Sequence, residues 1–113
     1  MIKLNIKDWT ELHIINIPAN LIDKNKENEI IQILLLPQYF KFDKAKTDGF
    51  DIRFTDKNDN ILPYKIIYYS QKNAQALCIF KVPLLSNITN NIFKLYYGNP
   101  DAEDEQNSEA FTI

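Results

Sequence analysis

The sequence predicts an all-β domain, a two-sheet antiparallel β-sandwich of the jelly-roll-like or Ig-like type. Three observations lead to this prediction. Several short segments alternate apolar and polar residues with the period of two that a half-buried strand requires. Clusters of turn-forming residues separate these segments, without the intervening helices of a βαβ fold. The chain has 113 residues, a length that suits one domain with a single hydrophobic core.

Composition narrows the classes of function. Hydrophobic residues make up 45% of the chain and aromatic residues 12%, which argues against a disordered protein. The formal net charge of −2 supplies no basic surface, so we expect no nucleic-acid partner. No apolar run is long enough to cross a bilayer, so we expect no membrane insertion. The single cysteine, Cys78, allows neither an internal disulfide nor a cysteine-based zinc site, and the sequence predicts no metal and no cofactor.

Two strands are expected in the first third of the chain. Residues 11–17 (ELHIINI) form the first strand, which ends at Pro18. Residues 30–36 (IIQILLL) are almost continuously apolar, which is compatible with a short buried helix or with a strand. Their isoleucine content and the following Pro37 favour a strand that is covered on both faces. The loop after it carries three aromatic residues that we expect to close one end of the core: Tyr39, Phe40 and Phe42.

The clearest strand–turn–strand pattern lies in the middle of the chain. Phe50, Ile52 and Phe54 alternate with polar residues, which predicts a half-buried central strand. Gly49 precedes this strand, where we expect a positive φ or close packing against a neighbouring strand. Residues 56–60 (DKNDN) then turn the chain, because short polar side chains of this kind bond to their own backbone.

Three further strands complete the pattern. Residues 64–69 form one strand, and residues 74–82 (AQALCIFKV) form the next, which we expect Pro83 to end. Residues 92–97 form the last clear strand, followed by the strong terminator of residues 98–100 (GNP). The pattern therefore predicts six or more strands with turns between them.

We place the β-sandwich domain at residues 1–100. Residues 101–113 include five carboxylates and no basic residue. Such a run indicates an acidic linker to a following element or, alternatively, a final edge strand of the sandwich.

Four blocks of the sequence, taken together, resemble a known family. The blocks are Asp48-Gly49-x-Asp51-Ile52-Arg53-Phe54, Leu62-Pro63-Tyr64, Phe80-Lys81-Val82-Pro83 and Leu95-Tyr96-Tyr97-Gly98-Asn99-Pro100. In this order and spacing they are similar to an uncharacterised β-sandwich domain, a domain of unknown function. The resemblance runs over residues 9–102. One departure is visible at the start, where Thr10, Glu11 and Leu12 replace the basic and aromatic residues that usually follow the opening tryptophan.

The resemblance implies where such a domain works. Members occur beside concanavalin A-like or laminin-G-like lectin domains in bacterial surface proteins, in phage structural proteins, and in some proteins with MotA/TolQ/ExbB-type names. We therefore expect a virion, extracellular or cell-surface location, although residues 1–9 lack the apolar region of a secretory signal. The expected function is a non-catalytic accessory module that provides structural or attachment contacts to protein partners or neighbouring domains. The alternative is a carbohydrate-binding module of a secreted or surface glycan-active protein.

Six residues of these blocks are candidates for a structural motif: Gly49, Asp51, Arg53, Pro63, Gly98 and Asn99. Asp51 and Arg53 lie two positions apart and share one face of the predicted strand. One hypothesis makes them a polar site for a sugar or a carboxylate, since arginine offers a planar fork of donors. The other makes them a structural network, in which Arg53 ties strands or loop carbonyls together and Asp51 balances its charge.

Four tyrosines are candidates for ligand binding: Tyr64, Tyr68, Tyr69 and Tyr96. Exposed tyrosine rings suit sugars because the ring is apolar and the hydroxyl is polar, but buried packing is the alternative role. Alternation along the strand places Tyr64 and Tyr68 on one face and Tyr69 on the other. No catalytic residue is predicted, because the single histidine, His13, has no recognisable nucleophile or orienting partner. We therefore expect that the protein is not an enzyme.

Overall fold

Six strands and four short 3₁₀ turns make up the computed structural model, which describes residues 2–111. The strands are β1 (Glu11–Ile17), β2 (Lys26–Leu35), β3 (Arg53–Asp56), β4 (Tyr64–Ser70), β5 (Gln75–Leu85) and β6 (Asn91–Tyr97). The 3₁₀ turns are Ile6–Asp8, Ala19–Leu21, Phe42–Lys44 and Ser108–Phe111. No helix in the described part of the chain is long and apolar enough to span a membrane.

The strands form two three-stranded antiparallel sheets that pack as a β-sandwich. Sheet I has the order β1–β6–β3, and sheet II has the order β2–β5–β4. Phe54 of β3 stacks on Phe80 of β5 with 4.5 Å between ring centroids, and Phe93 of β6 meets Phe80 edge-on. Aromatic pairs of this kind join the inner faces of the two sheets and add to the free energy of burial. The predicted all-β fold is thus confirmed.

The aromatic loop after β2 closes one end of this core, as predicted. Phe40 is fully buried and Phe42 nearly so. The Phe40 ring stacks on Tyr97 at 4.1 Å, and the Tyr97 hydroxyl accepts a hydrogen bond from the backbone N–H of Lys41. Tyr39 is only half-buried and stacks on His13, so it lies at the edge of the core.

The prediction that residues 30–36 are covered on both faces is wrong. Residues 30–35 lie in β2 as a strand, but β2 is an edge strand of sheet II, with only one face against the core. Ile30 is 47% exposed and Leu34 is 50% exposed on the opposite face. A run of apolar residues therefore reflects an apolar outer surface here, a case that the sequence pattern does not distinguish from full burial.

The end of β5 also differs from expectation. Pro83 does not end β5, which continues to Leu85. Pro83 lies at the gap between the pairs Glu27↔Leu84 and Glu29↔Val82, opposite Asn28, whose φ of 51° marks an irregularity. Proline is tolerated at such a place because no ladder hydrogen bond requires its missing N–H.

The predicted half-buried central strand is an edge strand buried on both faces. Strand β3 begins at Arg53, pairs with β6 along one edge and has a single bridge, from Thr55 to Ile61, along the other; residues 51–55 are all buried. The chain just after the turn lies beside β3, since the Leu62 N–H donates to the Phe54 carbonyl at 2.9 Å. The N-terminal segment pairs in turn with that chain, with Lys3 bridged to Asn60 and the Leu4 N–H donating to the Asp59 carbonyl at 2.9 Å. Local alternation predicts neither contact.

Residues 101–111 continue along the sandwich beside β4. The Asn107 N–H donates to the Tyr64 carbonyl at 3.0 Å, and the Gln106 side chain accepts from the Ile66 N–H at 2.7 Å. Residues 108–111 form a 3₁₀ turn and not a strand. The boundary placed at residue 100 stays a prediction, and residues 112–113 of the predicted linker or edge strand lie outside the described residues.

The first prediction concerns Gly49, whose φ of +74° agrees with the expected positive value. A Cβ at this position would lie 2.6 Å from the Tyr69 ring. Gly49→Val should therefore lower the free energy of unfolding by about 2 kcal/mol or more, because backbone strain and a ring clash combine. Urea denaturation followed by circular dichroism measures this change.

Asn28→Val is the matched control, because Asn28 also has a positive φ but is exposed. We expect Asn28→Val to cost less than Gly49→Val. Equal losses for the two variants would show that the contact with Tyr69 contributes nothing.

Candidate functional site

Asp51 links the loop before β3 to the chain after β6. Its carboxylate is fully buried and accepts hydrogen bonds from the backbone N–H groups of Lys46, Gly98 and Asn99 at 3.0, 3.0 and 3.1 Å. A buried carboxylate needs such donors because they replace the water that burial removes. Gly98, with a φ of +83°, fits here also because a Cβ would collide with Thr10.

Arg53 ties four groups of the chain together. Its Nη1 donates to the carbonyls of Phe50 and Ile52 at 2.9 Å each and to the Tyr64 hydroxyl at 3.0 Å. Its Nη2 donates to the Glu103 carbonyl at 2.6 Å. These bonds fasten the start of β3 to β4 and to the acidic segment that follows β6.

The guanidinium of Arg53 has an aromatic neighbour and no carboxylate partner. Its carbon atom lies 5.1 Å from the centroid of the Trp9 ring, which is cation–π geometry. Among residues 2–111, the three ion pairs within 4.0 Å include neither Arg53 nor Asp51. The two motif side chains therefore do not form the direct charge pair that the structural hypothesis suggested.

A cleft of about 650 Å³ opens where Arg53 meets the surface. Trp9, Leu62 and Pro63 give it apolar walls, and Asn99 adds a polar group. Five further residues of the lining carry polar or charged side chains: Lys3, Asn5, Asp8, Glu105 and Asn107. We call this space the Arg53 cleft.

The six motif residues fall into three places. Arg53, Pro63 and Asn99 line the Arg53 cleft. Asp51 and Gly98 are joined by a hydrogen bond and do not line this cleft, whereas Gly49 packs against the Tyr69 ring. Their assignment as a structural motif stays a prediction.

The four candidate tyrosines do not form one surface. Tyr64 and Tyr69 pack into the core from sheet II, and Tyr96 is nearly buried on the outer face of sheet I. Only Tyr68 is well exposed, at 47%. The predicted sharing of a face by Tyr64 and Tyr68 is wrong, because the register shifts between Ile66 and Tyr68 and turns Tyr68 outward.

Burial controls the acidity of these tyrosines. Burial raises the pKa of Tyr64 to about 12, although the nearby Arg53 guanidinium acts in the opposite direction. Burial and the hydrogen bond that its hydroxyl donates to Asp59 raise the pKa of Tyr96 to about 12. In contrast, hydrogen bonds with Asn73 and Ser70 lower the pKa of exposed Tyr68.

The described residues provide little other chemistry. Cys78 is buried, and burial raises the pKa of its thiol to about 12, so the thiolate needed for reactivity is scarce at neutral pH. His13 contacts Tyr39 through ring stacking. Within residues 2–111, no group of three or more His, Cys, Asp or Glu residues could hold a metal ion.

Sequence reasoning missed Trp9 and Lys3 as parts of a site. Their position beside Arg53 depends on the pairing of residues 2–4 with residues 59–61. No periodicity marks that pairing. The one available signal was that Trp9 is the single tryptophan of the chain, a residue type that rarely remains without a packing partner.

The second prediction concerns Asp51. Asp51→Asn should lower the free energy of unfolding by about 2–3 kcal/mol, because an amide NH₂ would face a backbone donor in a buried site. Chemical denaturation measures the loss.

Asp48→Asn provides the control, since the Asp48 carboxylate accepts a hydrogen bond from the Phe50 N–H but is exposed. Its expected cost is below about 1 kcal/mol. If both variants unfolded at the same urea concentration, the buried hydrogen bonds of the Asp51 carboxylate would not contribute to stability as described above.

The third prediction concerns alkaline stability. A tyrosine with a raised pKa keeps its proton in the folded state while the unfolded state loses it. The stability contributed by Tyr64 and Tyr96 is therefore fully present below pH 10 and is lost as the pH rises from 10 to about 12. Urea denaturation at pH values across this window measures the slope.

Two phenylalanine variants separate the contributions. Tyr96→Phe should reduce the loss of unfolding free energy between pH 10 and about 12, whereas Tyr68→Phe should not reduce it, because the lowered pKa of Tyr68 contributes to the pH dependence with the opposite sign. A slope that does not respond to Tyr96→Phe would contradict the assignment.

Comparison with known proteins identifies one family. No curated protein and no solved structure matches the chain. A family described as a domain of unknown function (DUF2341) matches residues 48–113, which is more than half of the chain. This span contains all six motif residues and the β3 to β6 part of the sandwich. The chain therefore belongs to the DUF2341 family.

Proposed function

We propose that this domain is a non-catalytic accessory module that makes attachment contacts with a protein partner through the outer face of sheet II. One observation carries the proposal. Leu34, Leu77 and Tyr68 form a row across all three strands, as the pairs Leu34↔Leu77 and Tyr68↔Leu77 show. Leu34 is 50% exposed and Tyr68 is 47% exposed. The row therefore presents apolar side chains to solvent on a sheet face.

Neighbouring residues extend this apolar row. Ile79 lies in the next register position, between Gln32 and Lys65, and is half-buried. Ile67 in the irregular part of β4 is 50% exposed. Apolar residues at the centre with lysine and glutamine beside them are typical of protein interaction sites.

The carbohydrate-binding alternative has weaker support. Sugar binding by sandwich domains would use several exposed aromatic rings on one surface. Here three of the four candidate tyrosines pack into the protein, and only Tyr68, paired with Leu77, is well exposed. A flat apolar face therefore favours a protein partner over a glycan.

The proposed setting is a phage virion or a bacterial cell-surface protein. This part rests on the resemblance of the four sequence blocks, since related domains occur in such proteins. A three-stranded face is about 10–15 Å wide, given strand spacings near 4.8 Å. Such a face buries less than the roughly 1,200–2,000 Å² of a stable protein interface. Binding by one domain is therefore weak, and many copies on one particle would raise the effective concentration.

The fourth prediction tests which face contacts the partner. A photo-crosslinking amino acid at position 34 should form crosslinks with one specific protein in the purified particle or surface fraction from the source organism. The same amino acid at position 12 is the control, because Leu12 is also a half-exposed leucine but lies on the outer face of sheet I. Mass spectrometry of the crosslinked peptides identifies the contact.

A second chain carries the photo-crosslinking amino acid at position 77, beside Leu34. In that chain, Leu34→Lys should abolish the crosslink to the partner while changing the free energy of unfolding by no more than about 0.5 kcal/mol. Crosslinking at position 12 and not at position 34 would overturn the proposed face. Turnover of a glycan substrate that one substitution abolishes would overturn the non-catalytic assignment.

A further inference from the structure

Arg53 uses only part of its hydrogen-bonding capacity within the protein. A guanidinium has five N–H donors. Its Nη1 donates to three acceptors and its Nη2 to one, the Glu103 carbonyl. The Nε–H and the second N–H of Nη2 have no acceptor among residues 2–111. Nε and Nη2 together form one edge of the guanidinium, the edge that binds a carboxylate through two parallel hydrogen bonds.

The unused edge is open to solvent in the Arg53 cleft. Within the described residues, every buried polar side-chain atom has a hydrogen-bond partner. Because Nε has none, it is not one of the buried atoms and solvent reaches it. Arg53 is only 5% exposed in total, and it is one of the residues that line the cleft. The small exposed part of Arg53 therefore lies at the base of this space.

The charge of Arg53 is also uncompensated at short range. A buried charge is normally paired, because burial removes the stabilisation that water provides. Arg53 has carbonyl groups, the Tyr64 hydroxyl and the Trp9 ring as neighbours, but no carboxylate within 4.0 Å in residues 2–111. An anion at the unused edge would supply the missing opposite charge.

The rest of the cleft restricts the kind of anion. Trp9, Leu62 and Pro63 offer an apolar wall, which suits a ligand with a carbon body. Asp8 and Glu105 also line the cleft, so a ligand with several negative charges would be repelled. A phosphate chain or nucleic acid is disfavoured, whereas a single carboxylate on a small organic molecule is favoured.

We propose that the Arg53 cleft binds a small monocarboxylate. The Nε and Nη2 edge of Arg53 donates hydrogen bonds to the carboxylate, and Trp9 contacts the body of the ligand. Two chemical sources share this group, an acidic sugar and the terminal carboxylate of a peptide. This site is separate from the apolar row on sheet II, so it holds whether or not that face contacts a partner.

The test compares ligands that differ only in charge. Glucuronate and glucose form one pair, and N-acetylglycine and its amide form the other. Arg53 is the only arginine and Trp9 the only tryptophan of the chain, so the Arg Nε–H resonance and the tryptophan fluorescence each report on this cleft without ambiguity. Both signals should change saturably with at least one acid, and the neutral analogue of that acid should bind at least ~10-fold more weakly.

Each outcome of the ligand comparison either supports the proposed site or overturns it. A response to glucuronate alone identifies an acidic sugar, and a response to N-acetylglycine alone identifies a peptide terminus; either supports the site. Equal binding of an acid and its neutral analogue would overturn the proposal, as would the absence of any response to both acids. A fluorescence change without movement of the Arg53 Nε–H resonance would also overturn it.

A variant adds a second line of evidence. Arg53→Lys keeps the charge but removes the two-point edge, so it should weaken binding of the acid by ~10-fold or more. Unchanged affinity in a folded Arg53→Lys protein would contradict the proposed contact. If this variant fails to fold, the paired ligands and the two spectroscopic signals of the unmodified chain decide the question.

Discussion

The fold depends on two buried charged side chains that bond to backbone groups and not to each other. Asp51 accepts from Lys46, Gly98 and Asn99, while Arg53 donates to carbonyls before β3 and to the segment after β6. Arg53 is the first residue of an edge strand with only four residues, and Asp51 lies two positions before it. Because a strand this short has few ladder hydrogen bonds, its position is fixed by side chains. The cost of burying the two charges is offset by the donors and acceptors that surround each one.

Because the buried Arg53 must bond to several chain segments, the same residue serves both the fold and the candidate site. A guanidinium that holds three separate chain segments is placed where those segments meet, and their junction leaves a cleft. Trp9 covers one face of Arg53, and Tyr64 meets it from sheet II. The match to the DUF2341 family covers residues 48–113. This span includes Arg53 and most of its hydrogen-bond partners but not Trp9. The wall of the cleft formed by residues 2–9 lies outside the matched region.

Local patterns predicted the class of fold and five of the strand positions well, because period-two alternation is a property of neighbouring residues. They failed where burial depends on distant parts of the chain. The apolar run at residues 30–36 faces solvent on one side, since no described element covers the outer face of β2. Residues 51–55 are buried on both sides, and the chain that bridges to Thr55 at Ile61 is itself paired with the N-terminal segment. Tyr68 turned outward through a register shift in β4, a change of one residue that no alternation rule anticipates.

The pairing of β1 with β6 has a consequence for how the chain reaches its folded state. Glu11 pairs with Tyr97, so sheet I joins the two ends of the domain, whereas β4 and β5 of sheet II are neighbours in sequence and connect through a short turn. Closing a long loop costs more conformational entropy than closing a hairpin, and distant pairings slow folding. During synthesis, β1 has no strand partner until β6 has left the ribosome. Until then its alternating apolar face stays unpaired, exposed to chaperones and to neighbouring chains.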